Sequence, residues 1–180
     1  MAVWTVLLMC LWITTRASAQ ESRVRPRARE HYETMAVKTS GGTGTYQGFT
    51  NTIGIGYEVP FRYQFALAGS PLLATLHTDS PPNDLVATIR LVHLGFEVKA
   101  FAAAEFPPVF VRLGVYDVRM LASGTEETWH GLSRLLGLGY EFRIGSIGLA
   151  LECAWRTADL SHGVRVTGTA PAIGVHFYDF

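Results

Sequence analysis

The sequence predicts an all-β protein, a closed antiparallel up-and-down transmembrane β-barrel of eight strands. Three observations predict it. Apolar and polar side chains alternate with period two nearly throughout the chain beyond residue 29. The polar face of those strands gathers glycines together with ionisable groups, and short connections alternate with longer ones.

Composition sets the frame for this reading. The chain has 180 residues, of which 48% are hydrophobic and 17% charged, and its 15 basic residues balance 15 acidic ones. One domain follows, and no broad electrostatic pull toward nucleic acid is expected. Residues 1–19 read as a signal peptide: Trp4 to Ile13 is an uncharged apolar run too short to span a bilayer, and Ala17-Ser18-Ala19 supplies the small-x-small cleavage pattern. Cleavage is expected near Ala19, before Gln20, although no Lys or Arg precedes the apolar run; a buried or membrane-embedded N-terminal helix is the alternative. Cys10 lies in that leader, so Cys153 would be left alone and no intramolecular disulfide is expected. Residues 20–28, with Arg23, Arg25 and Arg27 spaced around Pro26, read as a flexible basic linker, and residues 29–180 as the barrel.

Within the barrel, His31 to Thr39 is a weak first strand, joined by the glycine-rich stretch Gly41 to Gly48 to a second at Phe49 to Val59. There Phe49, Ile53, Ile55, Tyr57 and Val59 share one face, and Thr50, Thr52, Gly54, Gly56 and Glu58 the other. Pro60 marks a tight turn into Phe61 to Leu67, and the proline-containing stretch Gly69 to Asp84 reads as a long loop. Leu85 to Glu105 reads as one long strand projecting beyond the membrane rather than a hairpin at Gly95, because Val92, Leu94, Phe96 and Val98 hold one parity while His93, Glu97 and Lys99 hold the other. Pro107-Pro108 then turns the chain into Val109 to Leu121, and Ser123 to His130 is a polar loop. Leu132 to Phe142, the turn Gly145-Ser146, a strand from Ile147 to Arg156, a loop at Ala158 to Gly163 and a last strand at Val166 to Phe180 complete the count.

What decides between a membrane barrel and a soluble one is the content of the second face. Glu58, Arg62, Glu97, Lys99, Arg112, Glu141, Glu152 and Arg156 recur there, and such residues are seldom buried unless paired. A soluble lipocalin-like barrel around an apolar ligand fits the same alternation with inside and outside exchanged. Aromatic residues near strand ends (Tyr57, Phe61, Tyr140, Phe142, Trp155, Tyr178) favour lipid outside and charge inside, as interfacial girdles. An interior of eight strands is just wide enough to be filled by side chains, so the ionisable groups are expected to form an interior polar network rather than a conduction path.

The closing run Gly174 to Phe180 ends in an aromatic with another two residues before it, Tyr178 and Phe180, though Gly174 stands one position ahead of the usual glycine. With this C-terminal assembly signal, residues 29–180 resemble the small bacterial outer-membrane barrels of the OmpA/OmpX kind. The resemblance implies a Gram-negative outer-membrane location, outer-membrane lipid and the barrel-assembly machinery as partners, and a non-enzymatic structural or surface-interaction role. Any specificity is then expected in the loops at Leu72 to Asn83 and Ser123 to His130, toward a surface ligand the residues do not identify. A lipid- or lipopolysaccharide-modifying barrel enzyme is the remaining alternative, but His130 with Ser133 and Glu127, or Ser161 with His162 and Asp159, has no recognisable catalytic spacing. No cofactor and no metal site is expected.

Overall fold

The computed structural model describes residues 24–59, 63–69, 74–101, 109–124, 126–145 and 147–177, the side chains of residues 24, 25, 57–59, 63–65 and 143 excepted. Nine antiparallel strands follow in order: β1 (Val24–Thr39), β2 (Gly42–Val59), β3 (Tyr63–Gly69), β4 (Ala74–His77), β5 (Thr88–Phe101), β6 (Val109–Ala122), β7 (Thr128–Ile144), β8 (Ile147–Leu160) and β9 (Arg165–Phe177). β3 and β4 both lie between β2 and β5, so the nine strands make eight courses, and β1 pairs with β9 to close the ring.

The closure has a definite stagger. Residue pairing followed from Lys38 through Arg165, Asp159, Leu132, Asp117, Leu94, Gly69 and Ile53 returns to β1 at Ala28, ten residues below its start. Such a stagger around eight courses accompanies a strand tilt of roughly 35–45°. A closed ring leaves no unpaired edge, which is the condition for β-structure in hydrocarbon. No helix among the described residues is long and apolar enough to cross a membrane.

Five elements differ from the sequence reading. β1 begins at Val24, so the expected linker at residues 20–28 is strand over its described part. Its inward row is Arg27, Arg29, His31 and Glu33, all buried, and polar residues on the core side hide a strand from an apolar-pattern search. The stretch Gly41 to Gly48 is not a loop: β2 starts at Gly42 and pairs with β1 up to Thr39. The expected loop Gly69 to Asp84 contains β4, which approaches so closely that a Cβ at Gly48 would overlap the Thr75 carbonyl. Strands β7 and β8 also run further, so Thr128 to His130 and Ala158 to Leu160 are strand rather than loop. Residues 88–101 form one strand, with no hairpin at Gly95. The leader at residues 1–19, Pro60 and Pro107-Pro108 lie outside the described residues.

β1, β2 and β5 to β9 run 13 to 18 residues, longer than the about 9–11 needed to cross a bilayer. Their chemistry changes along that length without any change of register. In β6 the outward Val111, Leu113 and Val115 give way to Asp117 and Arg119, while the inward series runs Arg112, Gly114, Tyr116 and then Val118, Met120 and Ala122. The lower part is apolar outside and polar inside, and the upper part is the reverse. Phe96 is 72% exposed and Leu138 60%, whereas Lys99 and Arg112 are 0% exposed. Above the charged tiers the lumen is filled by Met35, Val37, Tyr46, Ile89, Met120 and Trp129, in the manner of a soluble protein core.

This inversion is testable with neighbouring residues. Met120→Ala is expected to lower stability by about 2–5 kcal/mol through loss of buried volume. Arg119→Ala, one residue away and outward, is expected to stay within about 0.5 kcal/mol. Unfolding in detergent, followed by loss of the compact gel species, checks both; equal effects would contradict an apolar upper lumen.

Candidate functional site

The charged lumen is built in tiers by strands that are mostly not neighbours. Lowest, Lys99 on β5 donates to Glu141 on β7, across β6, and His176 Nδ1 on β9 lies 2.9 Å from the same carboxylate. The Lys99 ammonium also sits 3.8 Å from the Phe110 ring centroid. In the middle, Glu97 on β5 accepts from Arg29 on β1 and from the Tyr116 hydroxyl on β6, with Arg112 at 3.7 Å and Arg27 at 3.9 Å. Arg112 in turn pairs with Glu152 on β8, across β7. In the upper tier Arg156 on β8 meets Glu33 on β1 at 2.9 Å, across β9. Thr50 donates to Glu33 at 3.0 Å, and Thr52 lies 3.2 Å from His93 Nε2.

These contacts tie opposite walls together. Arg29 and Glu97 are separated by β2 and by the course that β3 and β4 share. Inward glycines provide the room: a Cβ at Gly137 would overlap the Glu152 carboxylate, and one at Gly56 the Arg27 guanidinium. Five buried cationic side chains (Arg27, Arg29, Lys99, Arg112, Arg156) face four buried carboxylates (Glu33, Glu97, Glu141, Glu152) among the described residues. Charges taken out of water are tolerable only when paired and hydrogen-bonded, and here each of these carboxylates has a cationic partner.

Of the interior residues read from the sequence, Glu97, Lys99, Arg112, Glu141, Glu152 and Arg156 are brought together in this lumen. The Glu58 side chain, Arg62, Tyr178 and Phe180 lie outside the described residues. Sequence reasoning missed Arg27, Arg29, His31, Glu33 and His176, and placed His93 on the polar face without counting it in the network. A signal for the first four was present, since they occupy consecutive positions of one parity, but without an apolar partner row it read as solvated chain. Cys153 is on the outward face. His130 is exposed and Ser133 buried, so they occupy opposite faces of β7 and form no dyad. Ser161 Oγ accepts from the His130 backbone at 3.2 Å, and Asp159 is held by Arg165 at 2.9 Å. No group of His, Cys, Asp and Glu among the described residues is arranged to hold a metal ion.

At the loop end, residues 78–87 are clamped onto the turn between β1 and β2. The Asp84 carboxylate accepts from the Thr39 hydroxyl, from Ser40 Oγ at 2.9 Å and from the Gly41 N–H at 2.9 Å. Asn83 N–H donates to the Gly41 carbonyl at 3.3 Å, and the Tyr46 hydroxyl to the Val86 carbonyl at 2.7 Å. The Thr39 hydrogen bond, with those from Ser40 and Gly41, holds the Asp84 carboxyl below its ordinary range.

The closed antiparallel ring has solved counterparts. The crystal structure of Neisserial surface protein A superposes with a TM-score of 0.59 at 19% identity, covering 87% of this chain and 97% of that one. The fold is that of a small outer-membrane β-barrel. The barrel also matches Ail, the attachment invasion locus protein of Yersinia pestis, with a TM-score of 0.51 at 13% identity, over 85% of this chain and 98% of that one. OprG from Pseudomonas aeruginosa matches with a TM-score of 0.50 at 12% identity, over 88% of this chain and 98% of that one. No protein-family model and no curated protein sequence matches the chain. Identities this low carry the architecture of the barrel and nothing finer.

Two outcomes test the site. Glu97→Leu takes from Arg27 and Arg29 the carboxylate they share and is expected to destabilise the barrel by about 3–5 kcal/mol, whereas Arg165→Ala at the exposed Asp159 pair is expected to change stability by about 0–1 kcal/mol. Unfolding midpoints in detergent separate the two. For the clamp, a carboxyl whose folded pKa lies below its unfolded value stabilises above the unfolded pKa of about 3.9, and that contribution is lost as pH falls through the folded pKa. Amide protection factors in residues 78–87, taken relative to the intrinsic rate at each pH, are therefore expected to fall in acid, and Asp84→Asn to abolish the pH step.

Proposed function

We propose that this protein is a non-enzymatic barrel of the bacterial outer membrane with a structural or surface-interaction role. One observation carries the reading: a closed sheet whose outer wall is an apolar belt and whose lumen is crossed by ion pairs and stoppered above by an apolar core. Ion pairs across the lumen and an apolar core above them fill the described interior, which supports reading the network of Glu97, Lys99, Arg112, Glu141, Glu152 and Arg156 as structural, bracing opposite walls. A soluble barrel around an apolar ligand is disfavoured because the ring would have to expose Phe96, Leu113, Leu138, Leu151 and Ile173 to water. The separation of His130 from Ser133 speaks against a hydrolytic centre at the rim.

With the walls facing lipid and the lumen filled, interaction falls to the loop end, where residues 78–87 are held in a defined shape by Asp84. Surface exposure and attachment are words in the names of two structural counterparts, and they support a surface role here only as an analogy of fold. The same reading assigns outer-membrane lipid to the belt and the barrel-assembly machinery to the C-terminal strand, through Tyr178 and Phe180.

Fractionation of expressing Gram-negative cells tests the location: the expected result is outer-membrane protein whose gel mobility changes on boiling, and soluble periplasmic protein would overturn the proposal. In planar bilayers the purified barrel is expected to give no stable porin-sized conductance. Steady channels would refute the structural role of the interior charges.

A further inference from the structure

The apolar belt is not uniform around the ring. Because pairing climbs ten residues in eight courses, positions of equal depth step by about one residue per strand. On that ladder the outward residue Glu30 of β1 is level with Phe96, Leu113, Leu136 and Cys153 on β5 to β8. It is the one acidic or basic side chain among the described residues that faces outward at or below this depth. Directly opposite it on β2 is Asn51, and on β9 Ile173.

The next outward residues toward the loop end are Tyr32 and Phe49, whose rings pack edge to face at 5.1 Å. The Tyr32 hydroxyl donates to Gln47 Oε1 at 3.1 Å. An amphipathic aromatic pair of this kind marks the headgroup level, so Glu30 and Asn51 sit one step inside the hydrocarbon. A carboxyl and a carboxamide facing lipid are unfavourable there unless something at the same depth hydrogen-bonds to them.

We propose that Glu30 and Asn51 form a seam through which two copies of this barrel pair side by side in the membrane. A second copy inserted in the same orientation carries the same two groups at the same depth. A two-fold axis along the membrane normal places Glu30 of each against Asn51 of the other, a self-complementary pairing of an amide donor with a carboxyl acceptor. Toward the loop end from the seam, Thr34, Ala36 and Thr169 are small, which leaves room for two walls to come close there. On the far wall, Leu113 of β6 and Leu136 of β7 offer lipid nothing polar to satisfy.

The inference rests on the outer-membrane reading, and the experiment keeps the two apart. In a Cys153→Ser background, Thr34→Cys beside the seam and Leu136→Cys on the far wall are expressed as full chains and oxidised in isolated outer membranes with copper phenanthroline. A covalent dimer at least about tenfold more abundant for Thr34→Cys is expected, a ratio within the gain that holding two groups together provides. Adding Glu30→Leu and Asn51→Leu is expected to remove most of that dimer, while the boiling-dependent mobility shift reports an intact barrel. Equal cross-linking of Thr34→Cys and Leu136→Cys in a heat-modifiable protein overturns the seam and leaves the barrel reading standing, as does a Thr34→Cys dimer that survives both leucines. Cross-linking of Thr34→Cys to another protein alone also overturns it. If the leucine variant does not fold, the contrast between the two cysteine positions still decides.

Discussion

An open sheet edge leaves backbone amides and carbonyls unpaired, and the pairing of β1 with β9 is what leaves this ring without one. Everything else is subordinate to it. Closure over eight courses sets the stagger and tilt, these set the diameter of the lumen, and the lumen is then wide enough for side chains to meet across it. The ties from Arg29 to Glu97, Arg112 to Glu152 and Arg156 to Glu33 exist only because the ring is closed, since none joins neighbouring strands.

The same strands carry two chemistries. In the lower part the apolar side chains point outward and the charges are enclosed, where glycines such as Gly137 leave space for them. In the upper part the arrangement reverses: Arg90, Asp117, Arg119 and Arg165 point out while Ile89, Val118, Met120 and Val166 pack within. A fixed pleat with a change of chemistry halfway along is what the proposed location asks of a barrel that projects above a membrane. The clamp of Asp84 on Thr39, Ser40 and Gly41 then gives the projecting end a defined shape.

Much of this was legible before any fold was built. The period-two alternation in β6 and β8 identified their outward faces correctly, and the parity of Glu97 and Lys99 against Phe96 and Val98 was enough to reject a hairpin at Gly95. The failures have two causes. Val24 to Arg29 lacks an apolar row because its inward side chains Arg27 and Arg29 are charged. Gly42 to Gly48 and Ala74 to His77 do reach the apolar core through Tyr46, Ala74 and Leu76, but the glycines of the one and the four-residue length of the other leave too short a pattern to read. Local patterning reports burial against apolar groups and is silent about burial against a carboxylate contributed from across a lumen.

The sequence by itself determined the class of fold, the faces of most strands and six of the enclosed charges, because side-chain alternation is a local consequence of the pleat and can be read one strand at a time. Only the tertiary structure decided which charge meets which, that Arg27 and Arg29 belong to the lumen, that an apolar core stoppers it, and that Glu30 and Asn51 lie opposite each other on the outward face. Those facts depend on stagger and closure, which join ion-pair partners as far apart in sequence as Glu33 and Arg156, and no single strand carries that information.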